Sequence, residues 1–189
     1  MARPKEFNRD AALDLAVEVF RERGFAGTST EMLVTAMQIG RQSLYDTFGD
    51  KRSLYAAALE RYSEGETRAH MAALKGSSGK AIDNIARMLA RVVAQAHRPC
   101  LGIGSVSEFG GTDEDFVKVR ESAGGALRDA MLESTRRAQA EGDLATGVDP
   151  RHAAAFLMAQ IAAIRLAARG GASDADLRAI AKLALKALQ

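Results

Sequence analysis

Apolar residues in this chain recur every three or four positions, segment after segment, and nowhere alternate one by one with polar residues. That spacing fits the 3.6-residue turn of an α-helix and not the two-residue repeat of a half-buried strand. It predicts an all-α protein. The helix breakers agree. Only three prolines occur, and Gly24, Gly40, Gly49, Gly76, Gly79, Gly102, Gly110, Gly142 and Gly170 fall between periodic runs. Pro150 directly after Asp149 reads as a helix start, an N-cap followed by the first helical position. A chain of 189 residues buries a core without a metal or disulfide staple. Its lone cysteine, Cys100, rules out an internal disulfide framework and a multi-cysteine zinc site, and suits a reducing compartment.

Nine helices and no strands are expected. The first spans about Asp10 to Arg23, with Ala12, Leu13, Ala16, Val17 and Phe20 on one face. The second follows Thr28, which has Glu31 three residues on as a capping box. After a tight break at Gln38-Ile39-Gly40 comes a short third helix, Arg41 to Phe48, with Leu44 and Phe48 inward. Asp50 caps a long fourth helix reaching about Leu74. The fifth follows Gly79 and carries Ile82, Ile85, Leu89, Val92 and Ala96. A short sixth lies within Cys100 to Gly111. Asp113 caps the seventh, where Gly124-Gly125 marks a possible kink. The eighth runs from Pro150 to Arg169, and the ninth from Asp174 to Leu188.

Enzyme readings fail on spacing. His97 and Cys100 stand close, but no further His or Cys joins them, and His70 and His152 are isolated. Gly102-Ile103-Gly104 is followed by Ser107 where a dinucleotide fingerprint needs glycine, and no nucleophile elbow surrounds Ser105. The expectation is no catalytic site, no metal and no cofactor. The N-terminus has no apolar signal segment. The longest apolar stretch, Ala153 to Ala168, holds 16 residues and is broken by Gln160 and Arg165. That falls short of the ~20 a membrane span needs, so the chain reads as cytoplasmic, with no membrane partner.

The first fifty residues carry more. Two short helices joined by a three-residue break read as a helix-turn-helix, the unit that seats its second helix in a DNA major groove. Arg41, Gln42, Ser43, Tyr45 and Thr47 point away from the Leu44/Phe48 stripe. Thr28 opens the second helix, and Lys51 opens the fourth, where its charge would meet a phosphate. Arg3, Lys5 and Arg9 form a basic arm. Charge gives no help, because residues 1–53 hold eight basic and eight acidic side chains. The competing reading is a small helical subdomain with an ordinary polar surface.

The stretch ending at Leu54 carries Gly24-Phe25, Thr28-Ser29, Leu33, Ile39, Leu44-Tyr45, Phe48 and Lys51. With this spacing it resembles the DNA-binding domain of the TetR family of bacterial transcriptional regulators. Pro99-Cys100-Leu101-Gly102 is similar to a Gly-Cys-Leu segment in one branch of that family. The resemblance implies a homodimeric repressor released from a palindromic double-stranded DNA operator by a small-molecule effector. It divides the chain at residue 52, with a DNA-binding domain at 1–52 and a ligand-binding and dimerisation domain at 53–189. Operator contacts carried over by position are Thr28, Arg41, Gln42, Ser43, Tyr45, Thr47 and Lys51, and the packing residues are Leu33, Ile39, Leu44 and Phe48. Where the family has Gly and then a Ser cap in the turn, this chain has Gln38 and Gly40. Gln38 is therefore expected in a left-handed conformation. A cysteine at the position of Cys100 is thought in some members to respond to electrophiles, and His97 and Arg98 are candidate cations to activate it.

The remaining helices name no effector. Candidate wall residues are Tyr62, Met88, Val92, Cys100, Phe109, Phe116, Met131 and Phe156, each equally readable as plain core. Their apolar character suggests a hydrophobic effector. The eighth helix is apolar nearly all round, and the ninth carries a narrower stripe. Together they suggest half of a two-fold four-helix dimer interface through Ala155, Ala159, Ala163, Ile180, Ala184 and Leu188. The alternative function is a helical small-molecule or protein-binding module without DNA binding.

Overall fold

The computed structural model describes residues 7–76 and 79–189. Among them are nine helices and no strand: α1 (Arg9–Arg23), α2 (Thr30–Met37), α3 (Arg41–Phe48), α4 (Lys51–Lys75), α5 (Ala81–Ala94), α6 (Leu101–Phe109), α7 (Glu114–Ala140), α8 (Pro150–Arg169) and α9 (Asp174–Lys186). Arg3 and Lys5 of the expected basic arm lie outside the described residues.

Local chemistry sets most of the ends. Asn8 caps α1 by accepting from the Ala11 N–H at 3.0 Å. Asp50 accepts from the Ser53 N–H at 2.7 Å, which holds its carboxyl below the usual carboxylate range. Asp149 caps α8, with Pro150 at its start. Two expectations need correction. Ser29, not Thr28, caps α2, and its hydroxyl accepts from Met32, so there is no capping box with Glu31. Helix α9 stops at Lys186: the Leu188 N–H turns to the Leu185 carbonyl at 3.1 Å, a tighter closure than the α-helical one, and the Leu188 carbonyl accepts from the Ala145 N–H at 2.9 Å. Helix α7 runs unbroken through Gly124-Gly125.

The chain forms two compact units. One comprises the described residues up to Glu64 together with Cys100–Glu121; the other comprises Gly65–Pro99 and Ser122–Gln189. This differs from a single division at residue 52. Leu54, Tyr55, Ala58 and Leu59 of α4, with Leu101 and Phe116, share one core with α1, α2 and α3, so their burial draws them into the first unit.

The first unit packs Phe20, Leu33, Leu44 and Leu59 around a cluster of rings. Tyr55 lies within 4.9–5.5 Å of Phe20, Phe25, Phe109 and Phe116, centroid to centroid. Arg52 clamps Asp113 with both carboxylate oxygens at 2.7 and 2.8 Å, and Arg61 binds Asp14. The second unit is aliphatic, with Met88, Leu89, Val92, Met131, Leu157 and Leu177 at its centre. Thr135, fully buried, donates to carbonyls that include that of Pro150.

Candidate nucleic-acid interface

Helix α1 ends at Gly24, whose φ of +69° only glycine adopts freely. A Cβ there would also collide with the Glu108 carboxylate. The chain then doubles back through Phe25 to Thr28. Glu108 of α6 accepts from the N–H groups of Phe25 and Ala26, both at 3.0 Å. Lys51 at the start of α4 donates to the carbonyls of Phe25 and Thr28 at 3.0 and 2.9 Å, and its ammonium sits 4.1 Å from the Phe25 ring centroid. An acid thus holds the donors of this turn and a base its acceptors. The sequence offers no sign of the Glu108 contact, which joins residues more than eighty positions apart.

This geometry changes two expected DNA contacts. Thr28 is only 2% exposed, and its hydroxyl donates to the Gly24 carbonyl at 2.6 Å. It closes the turn and presents nothing outward; Ser29 is the exposed hydroxyl there. Lys51, assigned to a phosphate by sequence, spends two of its three N–H donors inside the turn.

Between α2 and α3, Gln38 adopts φ 56° and ψ 37°, the left-handed conformation expected of it. Among the described residues it alone, glycines apart, has positive φ. Its N–H and that of Ile39 close on the carbonyls of Thr35 and Val34 at 3.3 Å. Ile39 is buried, so the turn is pinned to the core. Gly40 is the N-cap of α3 and supplies no side-chain acceptor, which leaves the first amides of α3 uncapped.

Leu44 and Phe48 anchor α3 inward. Arg41, Gln42 and Tyr45 are exposed, and Ser43 and Thr47 are half-buried. Arg41 makes no hydrogen bond or ion pair among the described residues. Gln42 donates through Nε2 to Asp46 one turn on, at 2.8 Å. The i, i+4 spacing was the available signal for that pair. It fixes the amide's orientation, with one Nε2 proton and Oε1 left for another partner. Arg9 of the expected arm lies over the Phe48 ring at 5.2 Å. The α3 face therefore gathers donors and acceptors on a rigid helix beside uncapped amides, as reading base edges and holding phosphate require.

The comparisons with known proteins agree with this geometry. Residues 12–58 match the family model of bacterial regulatory proteins, tetR family. The chain is 36% identical over 148 residues to the HTH-type transcriptional regulator YezE of Bacillus subtilis (strain 168), covering 76% of each. It is 30% identical over 189 residues to the HTH-type transcriptional repressor ComR of Escherichia coli (strain K12), covering 97% of this chain and 90% of that one. This chain belongs to the TetR family. A cysteine mutant of the TetR family transcriptional regulator CifR, solved in complex with 26-bp double-strand operator DNA, superposes with a TM-score of 0.79 at 31% identity over 100% of both chains. As a TetR-family transcriptional regulator, the protein is not an enzyme. No helix among the described residues is long and apolar enough to cross a membrane.

The expected effector-wall residues fall in both units. Tyr62, Cys100, Phe109 and Phe116 belong to the first unit, where Phe116 is fully buried among rings. Met88, Val92 and Met131 are fully buried in the core of the second, while Phe156 faces outward on α8. Cys100 is the N-cap of α6, and His97, offered as its cation, is bonded instead to Asp174 at 2.8 Å. A groove of about 430 Å³ within the second unit, floored by Leu89, Val93, Ala181 and Leu185, contains none of the expected wall residues.

The expected dimer face is re-sorted as well. Ala155, Ala159 and Ala163 are exposed on α8, in line with Phe156 and Leu166. On α9, Ile180 is half-buried, but Ala184, and Leu188 just past the helix end, are buried in the core. The outward apolar residue is Leu183, 63% exposed. A stripe read from sequence marks where apolar residues lie, not which chain covers them.

Proposed function

We propose that this TetR-family regulator is a repressor of a palindromic operator, released when a small-molecule effector binds the second unit. The observation that carries the DNA half is α3 itself. It presents Arg41, the oriented Gln42, Tyr45 and uncapped N-terminal amides on a helix locked by Leu44, Phe48 and the left-handed Gln38. Gln42 offers an adenine edge one donor and one acceptor, while Arg41 and the α3 amides meet phosphate. Ser43 and Thr47 flank them. The exposed apolar line of Ala155, Phe156, Ala159, Ala163 and Leu166, with Leu183, supports a homodimer through α8 and α9. Two-fold pairing would present two α3 helices to two half-sites. The name of the ComR relative and the operator-bound CifR structure favour the same reading.

Fluorescence anisotropy with the DNA upstream of the protein's own gene tests it. Gln42→Ala should weaken operator binding by ~1–3 kcal/mol and relax preference at one base pair. Equal affinity of the wild type for that DNA and for random duplex would favour a helical ligand-binding or protein-binding module without DNA recognition.

A further inference from the structure

Inside the second unit, one carboxylate is shared by two guanidinium groups. Glu66 of α4 accepts from Arg91 Nη2 of α5 at 2.9 Å and from Arg165 Nη2 of α8 at 2.6 Å. Arg91 Nη1 lies 3.2 Å from His70 Nδ1, which must be the acceptor because arginine only donates. His70 stands one helical turn from Glu66 and is buried. Burial, reinforced by the charge of Arg91, pushes its pKa down to about 4, so it is neutral at pH 7. Burial opposes ionisation of Glu66, but the Arg91 hydrogen bond and the charges of Arg165 and Arg91 outweigh it and lower its pKa. The cluster holds two positive charges and one negative.

Arg165 carries the excess. It is 5% exposed on a helix otherwise lined with Ala, Leu and Ile, and its bond to Glu66 is its only hydrogen bond among the described residues. Of its five N–H donors, four have no acceptor among the described residues. Whichever Nη2 proton Glu66 takes, one complete two-proton edge of the guanidinium remains, the shape that grips a carboxylate through both oxygens. Among the described residues the buried side-chain atoms without a partner lie elsewhere, at Tyr55 and Asp143, so the unused Arg165 nitrogens keep slight contact with solvent, where a small anion can reach them.

We propose that Arg165, with Arg91 beside it, is the anion-binding end of the effector site, and that the effector is an organic acid with an apolar body. This rests on the reading that the second unit binds the effector, and it assigns that effector's class. The acid's carboxylate takes the open edge of Arg165 and balances the cluster's charge. The body meets the aliphatic core of the second unit, to which Met88, Val92, Met131 and Ile164 belong and whose side chains there offer it no polar partner.

The test titrates the intact protein by calorimetry with benzoate, phenylacetate and the straight-chain alkanoates from butanoate to decanoate, each paired with its primary amide. At least one acid should bind roughly tenfold or more tighter than its amide, as expected when a charge-assisted bidentate pair is lost. Arg165→Met should fold, because Glu66 keeps Arg91 as a balanced partner, and should abolish the preference for acid over amide. Arg165→Lys, which keeps the charge but not the two-proton edge, should fall between them. Glu66→Gln, which removes the competing carboxylate, should tighten acid binding. The binding acid should release operator DNA from the wild type and not from Arg165→Met. The assignment is overturned if no acid in the series binds, if acids and amides bind alike, or if Arg165→Met keeps the preference. Operator binding released by a neutral compound alone would leave the repressor reading standing and refute only the acid.

Discussion

Replacing Lys51 with methionine separates what this residue does in the turn from what its charge would do at a phosphate. Methionine keeps the apolar stem and removes the ammonium. The free protein then loses two charge-assisted hydrogen bonds, to the carbonyls of Phe25 and Thr28 at 3.0 and 2.9 Å, and a cation–π contact with the Phe25 ring at 4.1 Å. Phe25 keeps the Thr28 N–H as a partner at 3.3 Å. Hydrogen bonds to charged groups contribute ~1.5–3 kcal/mol each and an exposed cation–π contact ~0.5–1, with incomplete additivity. The expected loss is about 3 kcal/mol. At ~2–4 °C per kcal/mol for a chain of this size, Tm should fall by roughly 6–12 °C. Thermal unfolding followed by circular dichroism reads this without DNA. If the ammonium instead served a phosphate, stability would hold and the slope of log K against log salt would shrink by ~0.9. A Tm within about 2 °C of wild type, with that slope change, would refute the role assigned to Lys51; the bound is set by the ~2–4 °C expected per kcal/mol.

Other perturbations give separate checks. Gln38→Gly relieves the left-handed backbone at φ 56° and should raise stability by ~0.5–1 kcal/mol in urea unfolding, after the glycine's extra unfolded-state entropy is counted. The folded pKa of His70, about 4, lies below its unfolded value of 6.5, so the unfolded chain binds the extra proton between them. Stability should therefore fall as pH drops from 6.5 to 4, by up to ~1.4 kcal/mol per pH unit, and His70→Gln should flatten that slope in urea titrations at stepped pH. Ala163→Arg and Leu183→Glu each place a charge on the exposed apolar line and should give folded monomers by light scattering that bind the operator poorly, whereas a wild type already monomeric at micromolar concentration would exclude that interface.

Helix positions, the helix-turn-helix and the left-handed Gln38 were legible because they depend on neighbours within a few residues. The inward stripe of α1, the Asp50 and Asp149 caps and the missing cap at Gly40 all follow from local spacing and backbone chemistry. The family followed from the same short-range pattern. What the residues could not announce was which distant group each side chain would meet. Thr28 and Ser29 are adjacent hydroxyls, and only the fold of the turn sends one inward to Gly24 and leaves the other as the cap. Lys51 becomes part of that turn because the start of α4 is packed beside Phe25. Ala184 and Leu188 share an apolar stripe with Ile180, yet packing in the second unit buries the first two and leaves Leu183 outside. Arg165 looked like an interruption in an apolar helix, and it is buried because Glu66, 99 residues away, reaches it. Periodicity records how much of each helix avoids water; partner and direction come from long-range packing, which has no local pattern to leave in the sequence.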